Sequence, residues 1–204
     1  LFRTPADLEI GYYMLVTGSR LADGSVLANV SFFNVRPDST TQTGLVMRDN
    51  SEAVRVIGSF DSESKFIDAA TGTETSVLLT AGRGYFAVGL VGVGQEPTDH
   101  ALKDIAVKAA ELEKWGRSII LLFPDERAYR KYAASPAAPL PRTVTFGIDR
   151  GGSVRRHLLE AMHLPETVPL PVFIVGDTFN RVVFESHGYT IGLGDRLLHT
   201  VRQL

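Results

Sequence analysis

Leu170-Pro171-Val172-Phe173-Ile174-Val175 reads as an apolar strand led by proline, and together with the turn and strand after it this stretch decides the fold. Proline has no N–H to give a sheet ladder, so it belongs at a strand's start or edge. Asp177-Thr178-Phe179-Asn180-Arg181 is a turn, and Val182-Val183-Phe184-Glu185-Ser186 returns as an antiparallel neighbour. The chain then closes on an amphipathic helix, with Leu193, Leu197, Leu198, Val201 and Leu204 recurring at helical spacing.

Working backwards, strands and helices alternate. Thr143 to Ile148 is a strand, and Gly151-Gly152-Ser153 leads into a helix with Val154, Leu158, Leu159 and Met162 inward. Ser118 to Phe123 is the most apolar run, suited to a central strand covered on both faces. A short helix from about Asp125 to Ala134 comes next, and then a Pro/Ala-rich loop. Tyr85 to Val91 is a strand that runs through Gly92-Val93-Gly94-Gln95-Glu96-Pro97-Thr98-Asp99 into a helix. One face of that helix carries Leu102, Ile105, Ala106, Ala109 and Leu112. Thr98 or Asp99 is expected as its N-cap, and Gly116 as its stop.

The first part of the chain has a different grammar. Tyr12 to Thr17 and Ser25 to Val35 alternate as strands around Asp23-Gly24, a hairpin signal because glycine accepts positive φ. Thr43 to Arg48 and Val54 to Phe60 are further candidate strands. The expected organisation is a β-rich segment over 1–60, a polar linker over 61–76 and an α/β domain over 77–204. The β segment is expected as a small sheet or part of a sandwich.

Composition narrows the chemistry. Among 204 residues, 21 are Lys or Arg and 23 are Asp or Glu, which gives no electrostatic reason to expect nucleic acid or a membrane surface as partner. No apolar run approaches the ~18–20 residues a spanning helix needs. There is no cysteine, so thiol nucleophiles, disulfide exchange and Cys-ligated metals are excluded together. Leu1 opens the chain without Met, and the expectation is a piece of a longer polypeptide.

The order strand, helix, strand, helix, then proline-led strand, hairpin and terminal helix resembles a thioredoxin-like domain from about Val77 to Leu204. Leu170-Pro171-Val172-Phe173 is similar to the segment in which a cis-proline opens a strand beside that family's active site, and Gly188-Tyr189 also fits. The resemblance places the family's Cys-x-x-Cys at Gln95-Glu96-Pro97-Thr98, where the third-position proline is kept and both thiols are replaced. The implied domain is redox-inactive.

A second resemblance concerns Gly11-Tyr12-Tyr13-Met14-Leu15-Val16-Thr17-Gly18-Ser19-Arg20, Gly84-Tyr85-Phe86-Ala87-Val88-Gly89 and Phe179-Asn180-Arg181-Val182-Val183-Phe184. These stretches are similar to the C-terminal region of bacterial extracytoplasmic transglutaminase-like proteins. That resemblance implies a periplasmic or secreted location and a Cys-His-Asp set in upstream domains of the same polypeptide, which would be partners of this region.

The remaining chemistry is sparse. Gln95, Glu96, Asp99 and His100 gather at a strand's carboxyl end and a helix N-terminus, where open α/β sheets bind ligands. With Pro171 they form the one candidate binding site; capping and a solvated loop explain the same residues more simply. Gly92 and Gly94 only partly match a dinucleotide loop, because Pro97 stands where the third glycine belongs. His157, Glu160 and His163 have an i, i+3, i+6 spacing that turns the histidines about 120° apart, a poor chelate. Asp125, Asp149 and Asp177 are expected as caps or turn residues. No catalytic residue, metal or cofactor is expected. The expected role is a structural or interaction module, with a small-ligand or non-thiol enzymatic site at the loop after Tyr85–Val91 as the alternative.

Overall fold

The computed structural model describes residues 8–20, 26–37, 40–41, 48–49 and 55–204. The chain divides into two compact units, Leu1–Val54 with the last two residues, and Arg55–Arg202.

The first unit is a three-stranded antiparallel sheet of β1 (Gly11–Arg20), β2 (Val26–Val35) and β3 (Arg48–Asp49). Tyr13 lies directly opposite Phe33 and their rings stack at 5.7 Å; Tyr12 stacks on Phe32 at 6.0 Å. Such cross-strand aromatic pairs each contribute about 0.2–1 kcal/mol to a sheet. Of the two forms expected for this segment, the described residues give the small sheet rather than a sandwich. The Asp23-Gly24 turn and most of the expected strand Thr43–Arg48 lie outside the described residues.

The second unit is built on one mixed sheet in the order β4 (Gly58–Ser59), β11 (Arg181–His187), β10 (Val172–Asp177), β7 (Tyr85–Leu90), β8 (Ile119–Phe123), β9 (Val144–Ile148), β5 (Lys65–Asp68) and β6 (Glu74–Ser76). Its centre is β7 (Tyr85–Leu90), β8 (Ile119–Phe123) and β9 (Val144–Ile148), all parallel. β10 (Val172–Asp177) runs antiparallel beside β7, and β11 (Arg181–His187) antiparallel beside β10. Every residue of β7, β8 and β10 is buried, as a strand covered on both faces requires. Phe86, Val88, Leu90, Ile120, Leu122, Val172 and Ile174 form one core with Val77 of the short α1 (Val77–Ala81) and Val154, Leu158 and Leu159 of α5 (Ser153–Ala161). Alternation turns Ala87, Leu121 and Phe173 to the opposite layer, occupied by α2 (Glu96–Val107), α4 (Glu126–Ala134) and α6 (Leu193–Gln203).

Residues 55–76 depart from expectation. The stretch 61–76, read as a linker for its polarity, instead carries β5 (Lys65–Asp68) and β6 (Glu74–Ser76), and β5 pairs with β9. β4 (Gly58–Ser59), assigned from sequence to the β-rich segment, pairs with β11. Phe60, Ser62, Ser64 and Phe66 are buried while Asp61, Glu63 and Lys65 are exposed, a strict period of two. Two of the inward positions are serines on a turn closed by the Ser64 N–H on the Asp61 carbonyl, so hydropathy hid a buried segment. Ser62 Oγ donates to Asn180 Oδ1 at 2.8 Å, and Ser64 Oγ lies 3.2 Å from His157 Nδ1.

The helix after β7 is broken in two. Lys108 leaves helical geometry at φ −100°, ψ 15°, separating α2 from α3 (Ala109–Trp115). Its ammonium is held 2.7 Å from Asp195 of α6. Gly116 ends α3 in the left-handed region, as expected.

Tyr132 of α4 packs on Phe123 and Phe146, and burial pushes its phenol above the usual range, with Asp99 adding to the push. Tyr85 is raised for the same first reason, with Arg181 opposing and Asp177 adding. A raised tyrosine favours the protonated form in the folded state. Stability is therefore expected to be constant up to the unfolded pKa of about 10 and to fall as pH rises through the folded values. Urea midpoints measured between pH 8 and 11 should fall less in a Tyr85→Phe, Tyr132→Phe variant; equal slopes would contradict this.

Candidate functional site

The carboxyl ends of β7, β8 and β9 meet the start of β10 and the loop after β11. Leu170-Pro171 is cis. The Gly188 N–H donates to the carbonyls of both Pro169 (3.0 Å) and Pro171 (2.8 Å), tying the loop after β11 to the cis-proline loop. Gly188 has φ 64°, and a Cβ there would sit 2.9 Å from Pro169 Cγ, so the position requires glycine.

Across from this loop, Gln95 is the N-cap of α2, Glu96 its first residue and Pro97 its second. Sequence placed the cap three or four residues later, at Thr98 or Asp99. The helix starts earlier because Pro97 is pre-set for a first turn and needs no N–H partner there. Gln95 makes no side-chain cap bond; its amide lies over Gly92, where a Cβ would stand 2.6 Å from its Cδ.

The four motif positions differ in burial. Gln95 and Glu96 are exposed, Pro97 is half-buried and Thr98 is buried. Thr98 Oγ1 accepts the Gly92 N–H at 3.2 Å, closing the loop on its own helix. Thr98→Val keeps the shape and leaves that buried N–H unpaired, so the urea-derived stability should fall by about 1–3 kcal/mol. An unchanged stability would show that water replaces the hydroxyl.

Two adjoining cavities open here. One, of about 240 Å³, is mainly apolar and is walled by Leu90, Val91, Leu122, Phe123 and Pro124, with Arg155 and Leu170 at its edge. The other, of about 470 Å³ and more open, is bordered by Gln95, Pro97, Arg155 and Glu166 through Leu170. Pro97 and Leu170 thus face the same space.

The other expected binding residues lie apart from the cavities. His100 stacks on Tyr189 at 5.0 Å with the rings 11° apart. Asp99 faces Tyr132 of α4, whose titration it influences. Pro171 turns the chain, while Leu170 and Pro169 border the cavities. Asp125, Asp149 and Asp177 act as caps and turn residues: they accept the N–H groups of Ala128, of Val154 and Arg155, and of Phe179 and Arg181. Among the described residues, no group of three His, Asp or Glu side chains is arranged to hold a metal ion. Among the described residues, no helix is long and apolar enough to cross a membrane.

Sequence reading missed Arg155 and Ile191 as members of this end of the sheet. Arg155 comes directly after the inward Val154 on α5, and only the fold brings it to the cis-proline loop. Tyr189 and Ile191 lie just beyond Gly188, whose positive φ aims the loop outward, and Ile191 is 78% exposed.

No protein-family model matches this sequence, and no curated protein matches it. Solved structures do. BsSco, a member of the Sco family of cytochrome c oxidase assembly proteins, superposes with a TM-score of 0.56 at 13% identity, over 74% of this chain and 96% of that one. A thiol:disulfide interchange protein, DsbE, from Chlorobium tepidum gives 0.53 at 15% identity, over 71% and 95%. The bacterioferritin comigratory protein of Xanthomonas campestris gives 0.53 at 12% identity, over 69% and 91%. At such identities the likeness shows the fold: this is a thioredoxin-like α/β protein without cysteine. The likeness supports the thioredoxin-like part of the expected resemblance and lends nothing to the transglutaminase-like part.

Proposed function

We propose that this chain is a redox-inactive thioredoxin-like docking module, whose cis-proline face binds an extended polypeptide. The observation that carries the reading is the open cleft between Pro97 and the Pro169–Pro171 loop. No hydrogen bond is made by the Leu170 backbone N–H or C=O among the described residues, so an added strand could pair there. Tyr189 and Ile191, both exposed, follow Gly188 on the loop that is tied by hydrogen bonds to Pro169 and Pro171.

The same reading includes a host. The chain would belong to a larger extracytoplasmic transglutaminase-like protein, with the catalytic Cys-His-Asp set upstream and those upstream domains as the first partner to test. Only the sequence resemblance supports this context. A small-ligand or enzymatic site at Gln95–His100 is the weaker reading, since Thr98 is committed to Gly92 and His100 to Tyr189.

The test is a photo-crosslinking residue placed at Tyr189 and, as control, at Arg83 beyond the other end of β7, in the longer polypeptide. Adducts from position 189 that map to one extended segment support docking. Adduct yields equal at the two positions would reject it.

A further inference from the structure

Arg155 is the only cationic side chain bordering both cavities among the described residues. Its Nη2 donates to the Glu166 carbonyl at 2.7 Å, which holds the guanidinium against the loop that leads to Pro171. The Glu166 carboxylate is a loose competitor: it lies 3.9 Å from Nε and is 73% exposed, the kind of surface pair worth little. Arginine carries five N–H donors, and most of this one's have no partner among the described residues. Its side chain is only 29% exposed, so an anion arriving there would be partly shielded from water.

Beside the guanidinium lies the smaller cavity, with walls of Leu90, Val91, Leu122 and Phe123. Asp149 also borders it, but its two oxygens already accept the Val154 and Arg155 N–H groups at 3.0 and 2.8 Å. An apolar socket, one available cation and the unpaired Leu170 backbone therefore converge within one cleft. Together they match three features of a chain terminus: an apolar last side chain, an α-carboxylate and a backbone in strand conformation.

We infer that the cleft captures a polypeptide by its free C-terminus, with a large apolar last residue in the smaller cavity and its carboxylate on Arg155. This deepens the docking proposal and rests on it. The added strand runs beside Leu170, and the occupant's carboxylate displaces Glu166 from the guanidinium.

The experiment is fluorescence anisotropy with the full chain and N-terminally labelled pentapeptides ending in Leu or Phe, each made with a free and an amidated C-terminus. The free acid is expected to bind on the order of tenfold or more tightly than the amide, the difference one charge-assisted hydrogen-bond pair supplies. Arg155→Gln should erase that difference, while Glu166→Gln should strengthen free-acid binding. Circular dichroism of Arg155→Gln must match the parent, and Arg155→Lys should retain part of the preference. Equal binding of acid and amide overturns the terminal-carboxylate inference and leaves the docking face intact. Binding unaffected by the bulky substitution Pro97→Trp, whatever the terminus, overturns the docking face itself. N-acetyl-leucine competing as strongly as the pentapeptide would overturn a polypeptide as the occupant.

Discussion

Gly194→Leu is expected to unfold or nearly unfold the second unit, and Gly194→Ala to destabilise it in the same direction. A Cβ at Gly194 would stand 2.8 Å from the carbonyl carbon of Asp104, and closer still to its oxygen. The obstacle is backbone inside α2, so no rotamer change relieves it. Nearby, the Leu193 N–H donates to Asp104 Oδ2 at 3.0 Å and Lys108 pairs with Asp195, so α6 cannot slide away without losing its anchors. Helix propensity opposes this: alanine inside a helix is favoured over glycine by roughly 0.5–1 kcal/mol. Overpacking costs about 1–3 kcal/mol and sometimes more, so the clash decides the sign. Against a total of about 5–15 kcal/mol, the leucine variant consumes much of the stability. Urea unfolding followed by circular dichroism measures it, and an alanine variant more stable than the parent would show that propensity wins. In Gly194→Ala, moderate displacement of α6 would also shift the loop carrying Tyr189, linking core packing to the docking face.

The fold was more legible in the sequence than the site, for reasons particular residues make plain. Leu170–Val175 and Ser118–Phe123 are apolar on both faces, so their central place needs no partner to be recognised. The buried Phe60–Phe66 segment failed to announce itself because serine at 62 and 64 is small enough to bury yet reads as polar. The break at Lys108 is equally silent: apolar residues keep their helical spacing across it, from Leu102 and Ile105 to Leu112, so local periodicity does not mark it. For the site, the cis bond at Leu170-Pro171 was legible through family resemblance, and Gln95–Thr98 lie at the start of α2 across from it. Arg155 was not, because an arginine on an amphipathic helix looks like any solvated charge until the sheet brings it to Leu170. The start of the helix after β7 was placed three or four residues late because Thr98 and Asp99 are good caps in isolation. Proline at the second helical position outweighed them.

The double variant Gln95→Cys, Thr98→Cys is expected to gain what the parent lacks, a reversible intramolecular disulfide with thiol–disulfide exchange activity. Position 95 is the exposed N-cap of α2, and position 98 is buried one turn on, with Pro97 between them. That is the asymmetry an attacking and a resolving thiol need. The helix N-terminus favours a thiolate, and thiols placed there have pKa values lowered to about 3.5–7.5. The thiol introduced at 95 should therefore react with a soluble disulfide reagent roughly tenfold or more faster than the one at 98. Exposed to oxidised glutathione, the single variant at 95 should displace one glutathione thiolate and accumulate as the mixed disulfide. The double variant should instead release glutathione and lose two mass units. Exchanging Thr98 removes the acceptor for the Gly92 N–H, so some loss of stability accompanies the gain. A double variant that keeps two free thiols after exposure to oxidised glutathione, or a faster thiol at 98, would show that Gln95–Thr98 does not occupy the redox position. A working disulfide would mean that Gln95 and Thr98 stand where this fold can support thiol exchange, and that two side chains are enough to withhold it.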